Sequence, residues 1–92
     1  MIYVIEYAIS GRAKCAWCGD VIEKDSLRIG KRFPSGFGDY SANLTTKWYH
    51  ANHFFDHFSV RTSDLEGYDL LTRADQKWVL VQLRKTLPHA GI

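Results

Sequence analysis

Lys14-Cys15-Ala16-Trp17-Cys18-Gly19, followed by His50-Ala51-Asn52-His53 with 31 residues between Cys18 and His50, is the pattern that decides how this chain folds. Two thiols with two residues between them can be aimed at one point by a tight turn, and Gly19 gives the backbone freedom to leave it. Two thiolates and two imidazoles suit a tetrahedral zinc ion, with Zn–S near 2.3 Å and Zn–N about 2.0–2.1 Å. One ion would then tie two distant segments of chain together. His57 lies in the same stretch, so His53 and His57, with three residues between them, form a second candidate pair. The residues alone leave both pairings open.

Two other chemistries use such residues. A thioredoxin-like Cys-x-x-Cys opens a helix in a βαβ setting. Here Ser10-Gly11-Arg12-Ala13-Lys14 precedes the thiols and Gly19 opposes helix initiation. A catalytic zinc keeps one position open for water beside a carboxylate base. Four protein ligands leave no vacancy, and Asp56 is the acid nearest the histidines in sequence. Structural zinc is the reading that remains, and no enzymatic activity is expected of the chain.

The bulk composition agrees. Ninety-two residues make one domain, 1–92, with a core expected over about 3–87. A domain this small buries about 60–65% of its unfolded surface, so a metal is a natural staple. The hydrophobic fraction of 46% is ordinary for a globular protein, and two cysteines are too few for a disulfide framework. No signal-like segment and no long apolar run are visible, which points to a reducing, intracellular setting with no membrane partner.

The flanking sequence predicts a strand over Ile2–Ala8, short strands at Val21–Ile22 and Leu27–Ile29 around a polar turn, and a strand at Lys47–Tyr49. Residues 34–46, with Pro34, Gly36, Gly38 and Asn43, read as a long loop carrying Phe37, Tyr40 and Leu44. His50–Phe58 has helix-compatible spacing. The last helix is the clearest: Thr72 caps it, Asp75 sits three residues on, Val79, Leu80, Leu83 and Leu87 form its apolar stripe, and Pro88 stops it. His89, near the chain end, reads as a surface histidine. The fold class is a small zinc-stabilised α+β domain, a short antiparallel sheet with helices.

The net charge of +2 specifies little, but its distribution is uneven. Arg12, Lys14, Arg28, Lys31 and Arg32 flank the metal turn with few acids between them, whereas the region from Tyr49 onward balances five bases against five acids. A basic patch beside apolar loop residues suits phosphate contact with stacking on an open base.

Three segments are recognisable together. Glu6-Tyr7-Ala8-Ile9-Ser10-Gly11-Arg12-Ala13-Lys14-Cys15-Ala16-Trp17-Cys18, Ser26-Leu27-Arg28-Ile29-Gly30 and Trp48-Tyr49-His50 resemble the PARP-type zinc fingers of poly(ADP-ribose) polymerase and DNA ligase III. Leu65-Glu66-Gly67-Tyr68-Asp69-Leu70-Leu71 and Asp75-Gln76-Lys77 resemble that family's approach to its closing helix, so the likeness runs from roughly Tyr3 to Leu87.

The resemblance implies one zinc per chain on Cys15, Cys18, His50 and His53. His53 stands where the family usually has a fourth-ligand cysteine. It also implies binding to DNA breaks (nicks, ends and gaps) with little sequence preference, in the nucleus, in repair or damage signalling, alongside nuclear repair proteins and with no small-molecule substrate. Arg12 and Arg28 match the family's phosphate-gripping arginines, and Lys31 and Arg32 extend that basic strand. Phe37 and Leu44 are the candidates for stacking on exposed bases, although the loop between Arg28 and Trp48 departs from the polymerase fingers. The competing expectation is a zinc-stabilised protein–protein interaction module of a nuclear complex that keeps the fold without the DNA affinity.

Overall fold

The computed structural model describes residues 2–34 and 44–86. The elements follow one another as β1 (Ile2–Tyr7), β2 (Leu27–Pro34), β3 (Leu44–His50), α1 (Ala51–His57), β4 (Leu65–Glu66) and α2 (Arg73–Thr86), with single 3₁₀ turns at Thr62–Asp64 and Tyr68–Leu70. The sheet order is β3-β2-β1-β4.

The pairing register explains where each side chain goes. Across β1, β2 and β3, Ile5 stands opposite Ile29 and Ile29 opposite Tyr49. Side chains alternate faces along a strand, so these three share one face with Tyr3, Lys31 and Lys47. That face packs on the helices. Phe54 and Phe55 of α1 and Val79 of α2 are fully buried against it. The Phe54 ring meets Tyr3 and Tyr49 edge-on, at 5.7 Å in each case, and stacks on Phe58 at 4.9 Å. Complete burial of one such phenyl group contributes about 1.5–3 kcal/mol.

The opposite face carries Glu6, Arg28 and His50 in one row and Val4, Gly30 and Trp48 in the next. Trp48 lies across Gly30, where a Cβ would stand 2.7 Å from Cζ3 of the indole. The other demanding glycine is Gly67. Its φ is +93°, and a Cβ there would come 2.5 Å from the Ile5 carbonyl oxygen.

The first strand is fastened to the last helix. The Tyr7 hydroxyl donates to the Asp75 carboxylate and accepts from the Thr72 N–H at 3.2 Å. Thr72 caps α2 as the sequence predicts, accepting the Asp75 N–H at 3.2 Å.

Several expectations change. The fourth strand, Leu65–Glu66, joins β1 in parallel at Tyr3 and Val4, so the sheet is mixed rather than wholly antiparallel. The residues read as a loop over 34–46 are partly strand: Pro34 pairs with Leu44 and Phe33 with Thr45. Cross-strand pairing here overrides the local turn chemistry. Val21 forms an isolated bridge with Lys14 rather than a strand. On α2, Val79 and Leu83 are buried as expected, but Leu80 is exposed. Leu87, Pro88 and His89, with Phe37 and Tyr40, lie outside the described residues.

Candidate metal centre and its basic surroundings

The two halves of the zinc pattern come from the connection between β1 and β2 and from the junction of β3 with α1. Cys15 and Cys18 sit on the turn after β1, with Cys15 N–H bonded to the Asp20 carbonyl and Gly19 N–H to the Cys15 carbonyl, both at 2.8 Å. Gly19 has a φ of +81°, the left-handed conformation the turn requires. His50 ends β3 and His53 lies on the first turn of α1, directly after it. The knuckle is held to β3 by Ala16 N–H, which donates to the Trp48 carbonyl at 2.7 Å.

The four donor atoms lie within 4.8 Å of one another. Cys15 Sγ is 3.8 Å from His53 Nδ1, and Cys18 Sγ is 3.4 Å from His50 Nδ1. A tetrahedral zinc ion with ordinary bond lengths needs S···N edges of about 3.6 Å. His50 Nε2–H donates to the Val21 carbonyl at 3.2 Å, which leaves Nδ1 free for a metal. Cys15 Sγ accepts N–H groups from Trp17 and His50, each at 3.4 Å. Burial pushes the Cys15 thiol up, but the Cys18 N–H, the His53 imidazole and the N–H groups of His50 and Trp17 outweigh it and bring its pKa down to about 6. Cys18 moves the other way: the Asp20 N–H favours its thiolate, yet desolvation and the neighbouring Cys15 together raise its pKa. One sulfur is thus prepared as an anion, and a cation between the pair would favour the second. Neither cysteine is in a disulfide.

His57 is placed elsewhere. Its ring stacks on Trp17 with centroids 3.6 Å apart, and among the described residues the metal-competent group is Cys15, Cys18, His50 and His53. The choice the residues leave open between two histidine pairs is resolved in favour of His50 and His53.

The basic residues divide in a way their sequence proximity hides. Arg12 is exposed on the loop before the knuckle. Arg28 is only 6% exposed. Its Nε and one terminal nitrogen donate to Glu6 Oε2 at 3.2 and 2.7 Å, and the guanidinium lies over the Trp48 ring, 3.7 Å from the centroid. Arg32 shares the Arg28 face, whereas Lys31 points to the other, so Lys31 and Arg32 do not extend one surface. Leu44 opens β3. Lys47, read in the sequence only as the start of a strand, stands directly opposite Lys31. The pairing is invisible in the sequence because the strand expected over Leu27–Ile29 stops short of Lys31.

Fold and site together define a structural-zinc finger in which the ion joins a knuckle to a strand–helix junction. Residues 6–83 match the family described as the poly(ADP-ribose) polymerase and DNA-ligase zinc-finger region, and the chain belongs to that family. It is 35% identical over 92 residues to poly(ADP-ribose) polymerase 1 of Caenorhabditis elegans, covering 95% of this chain and 9% of the relative. Identity to the zebrafish poly(ADP-ribose) polymerase 1 is 38% over 79 residues, covering 85% and 8%. For the Drosophila melanogaster polymerase it is 37% over 76 residues, covering 82% and 7%. The chain therefore spans less than a tenth of the length of these relatives, and what is matched is their zinc-finger region.

Proposed function

We propose that this chain is a zinc-dependent module that binds DNA strand breaks with little sequence preference, acting in the nucleus in repair or damage signalling beside other repair proteins. The observation that carries the reading is the family match over residues 6–83, which joins the zinc fingers of a polymerase and of a DNA ligase. A ligase by its chemistry works where a strand is interrupted. Arg12, Arg28, Lys31 and Arg32 are the proposed phosphate contacts, and Phe37 and Leu44 the proposed stacking residues. The exposed Arg12 supports this part directly; Arg28 can take part only through the edge of its guanidinium not engaged by Glu6.

The test is a titration of nicked, gapped, blunt-ended and covalently closed duplex at fixed salt, with and without a zinc chelator. The reading expects tighter binding to interrupted DNA than to closed duplex, lost when zinc is removed. Equal or absent binding to all four overturns it, and the protein-interaction reading then takes first place. The neutralisation of Arg28 by Glu6 is what favours that second reading.

A further inference from the structure

Lys31 and Lys47 face each other across β2 and β3. They lie on the helix-side face, opposite to Arg28 and Arg32. The Lys31 ammonium lies 5.6 Å from the centre of the Phe58 ring, and the Lys47 ammonium 5.7 Å from that of Phe33. Along β1–β3 the described residues of this face are Tyr, Ile, Leu, Phe, Thr and Lys, with no acid. Among the described residues neither ammonium has a carboxylate partner. Like charges directly opposite on paired strands destabilise the pair, and no acid among the described residues relieves them. A cross-strand pair of unpaired cations over aromatic rings is arranged for an anion that is not part of the fold.

Arg32, on the opposite face, also has no ion pair among the described residues. The end of the β2–β3 ribbon thus presents positive charge on both sides. A bare two-stranded ribbon fits a major groove about 12 Å wide, where both walls are phosphate. This ribbon is not bare at Lys31: β1 flanks it as far as Ile2, which pairs with Arg32, and Phe58 from the end of α1 stands beside the Lys31 ammonium on its inner side. Sheet and helix together are too thick for one groove.

We infer that Lys31 and Lys47 form a second phosphate-binding strip, which engages the backbone of a separate duplex arm on the far side of a break while the Arg32 face engages the first. This rests on the proposed DNA reading and adds to it the ligand's shape: two arms, one on each face of the ribbon.

The experiment compares the parent with the double variant Lys31→Gln, Lys47→Gln on gapped DNA with two duplex arms and on a single blunt-ended duplex, across a salt series. Removing the facing charges relieves repulsion, so the variant should fold, checked by its melting temperature and zinc content. On gapped DNA its salt slope should be shallower by about 1.8, two contacts at about 0.9 each. On blunt duplex the change should be less than about half a unit. Arg32→Gln should flatten both slopes alike. A double variant that matches the parent on gapped DNA, or loses equally on both substrates, overturns the strip. If the parent itself binds neither DNA, the proposed function fails instead, and the two failures are told apart by that first measurement.

Discussion

The guanidinium of Arg28 lies over the indole of Trp48, 3.7 Å from the ring centre, and is held there by the carboxylate of Glu6. Trp48 in turn covers Gly30 and passes its carbonyl to the Ala16 N–H of the knuckle. The charge at position 28 is therefore largely spent inside the protein. Arg28→Ala should lower stability by about 2 kcal/mol, since hydrogen bonds to charged groups are worth about 1.5–3 kcal/mol and Glu6 is left unpaired. Its effect on the salt slope of DNA binding should be well under one unit. A denaturant melt and a salt series on the same sample check both.

Arg12→Ala gives the complementary outcome. Arg12 is exposed, and among the described residues it has no ion pair. Its removal should leave the melt unchanged within about 0.5 kcal/mol and reduce the salt slope by about one unit. If Arg28 flattens the slope and Arg12 does not, the roles are reversed.

Gly30→Ala should destabilise by about 1–3 kcal/mol through overpacking, because the new methyl meets Trp48 Cζ3 at 2.7 Å and Thr46 Cγ2 at 3.0 Å. The indole has little room to retreat while Arg28 holds its face. Zinc affinity should weaken in the same variant, because His50 lies two residues along the displaced strand. Competition with a chromogenic chelator measures this, and unchanged affinity with an unchanged melt would show that the indole moves freely.

Removing zinc should abolish cooperative unfolding. Structural zinc in finger peptides contributes roughly 10–16 kcal/mol of apparent binding free energy at neutral pH, and that binding energy is folding energy. His53→Ala should lose or greatly weaken the metal, whereas His57→Ala should keep one zinc per chain and change Trp17 fluorescence, since it strips away the ring stacked on that indole. Metal analysis and emission spectra of the two variants decide between them.

The two thiols and a nearby histidine pair were legible in residue type and spacing, but the choice of His53 over His57 came from the family resemblance; Cys15, Cys18, His50 and His53 do converge. The closing helix was legible because Thr72, Asp75, Val79 and Leu83 obey local rules. What escaped depends on partners far away in sequence. Phe33 and Thr45 are strand residues only because they pair with each other, and β4 is a two-residue strand with almost no pattern to read. The separation of Lys31 from Arg32 follows from the pleat, but only once β2 is known to run through both. The burial of Arg28 needed Glu6 and Trp48, each 20 or more residues away along β1 and β3, well beyond any local window.

β3 is one of the two edge strands of the sheet. Two of the backbone groups it turns away from β2 are covered by the knuckle: the Trp48 carbonyl by Ala16, and the His50 N–H by the Cys15 sulfur. An uncovered edge of this kind is a template for strand addition by a second chain. By holding the knuckle against β3, bound zinc would also keep this part of a polymerisation edge out of reach. Starved of metal, the protein should leave solution by self-assembly along Thr45–Tyr49 rather than persist as a soluble unfolded monomer. The Lys47 charge on that segment would be the main obstacle to its growth.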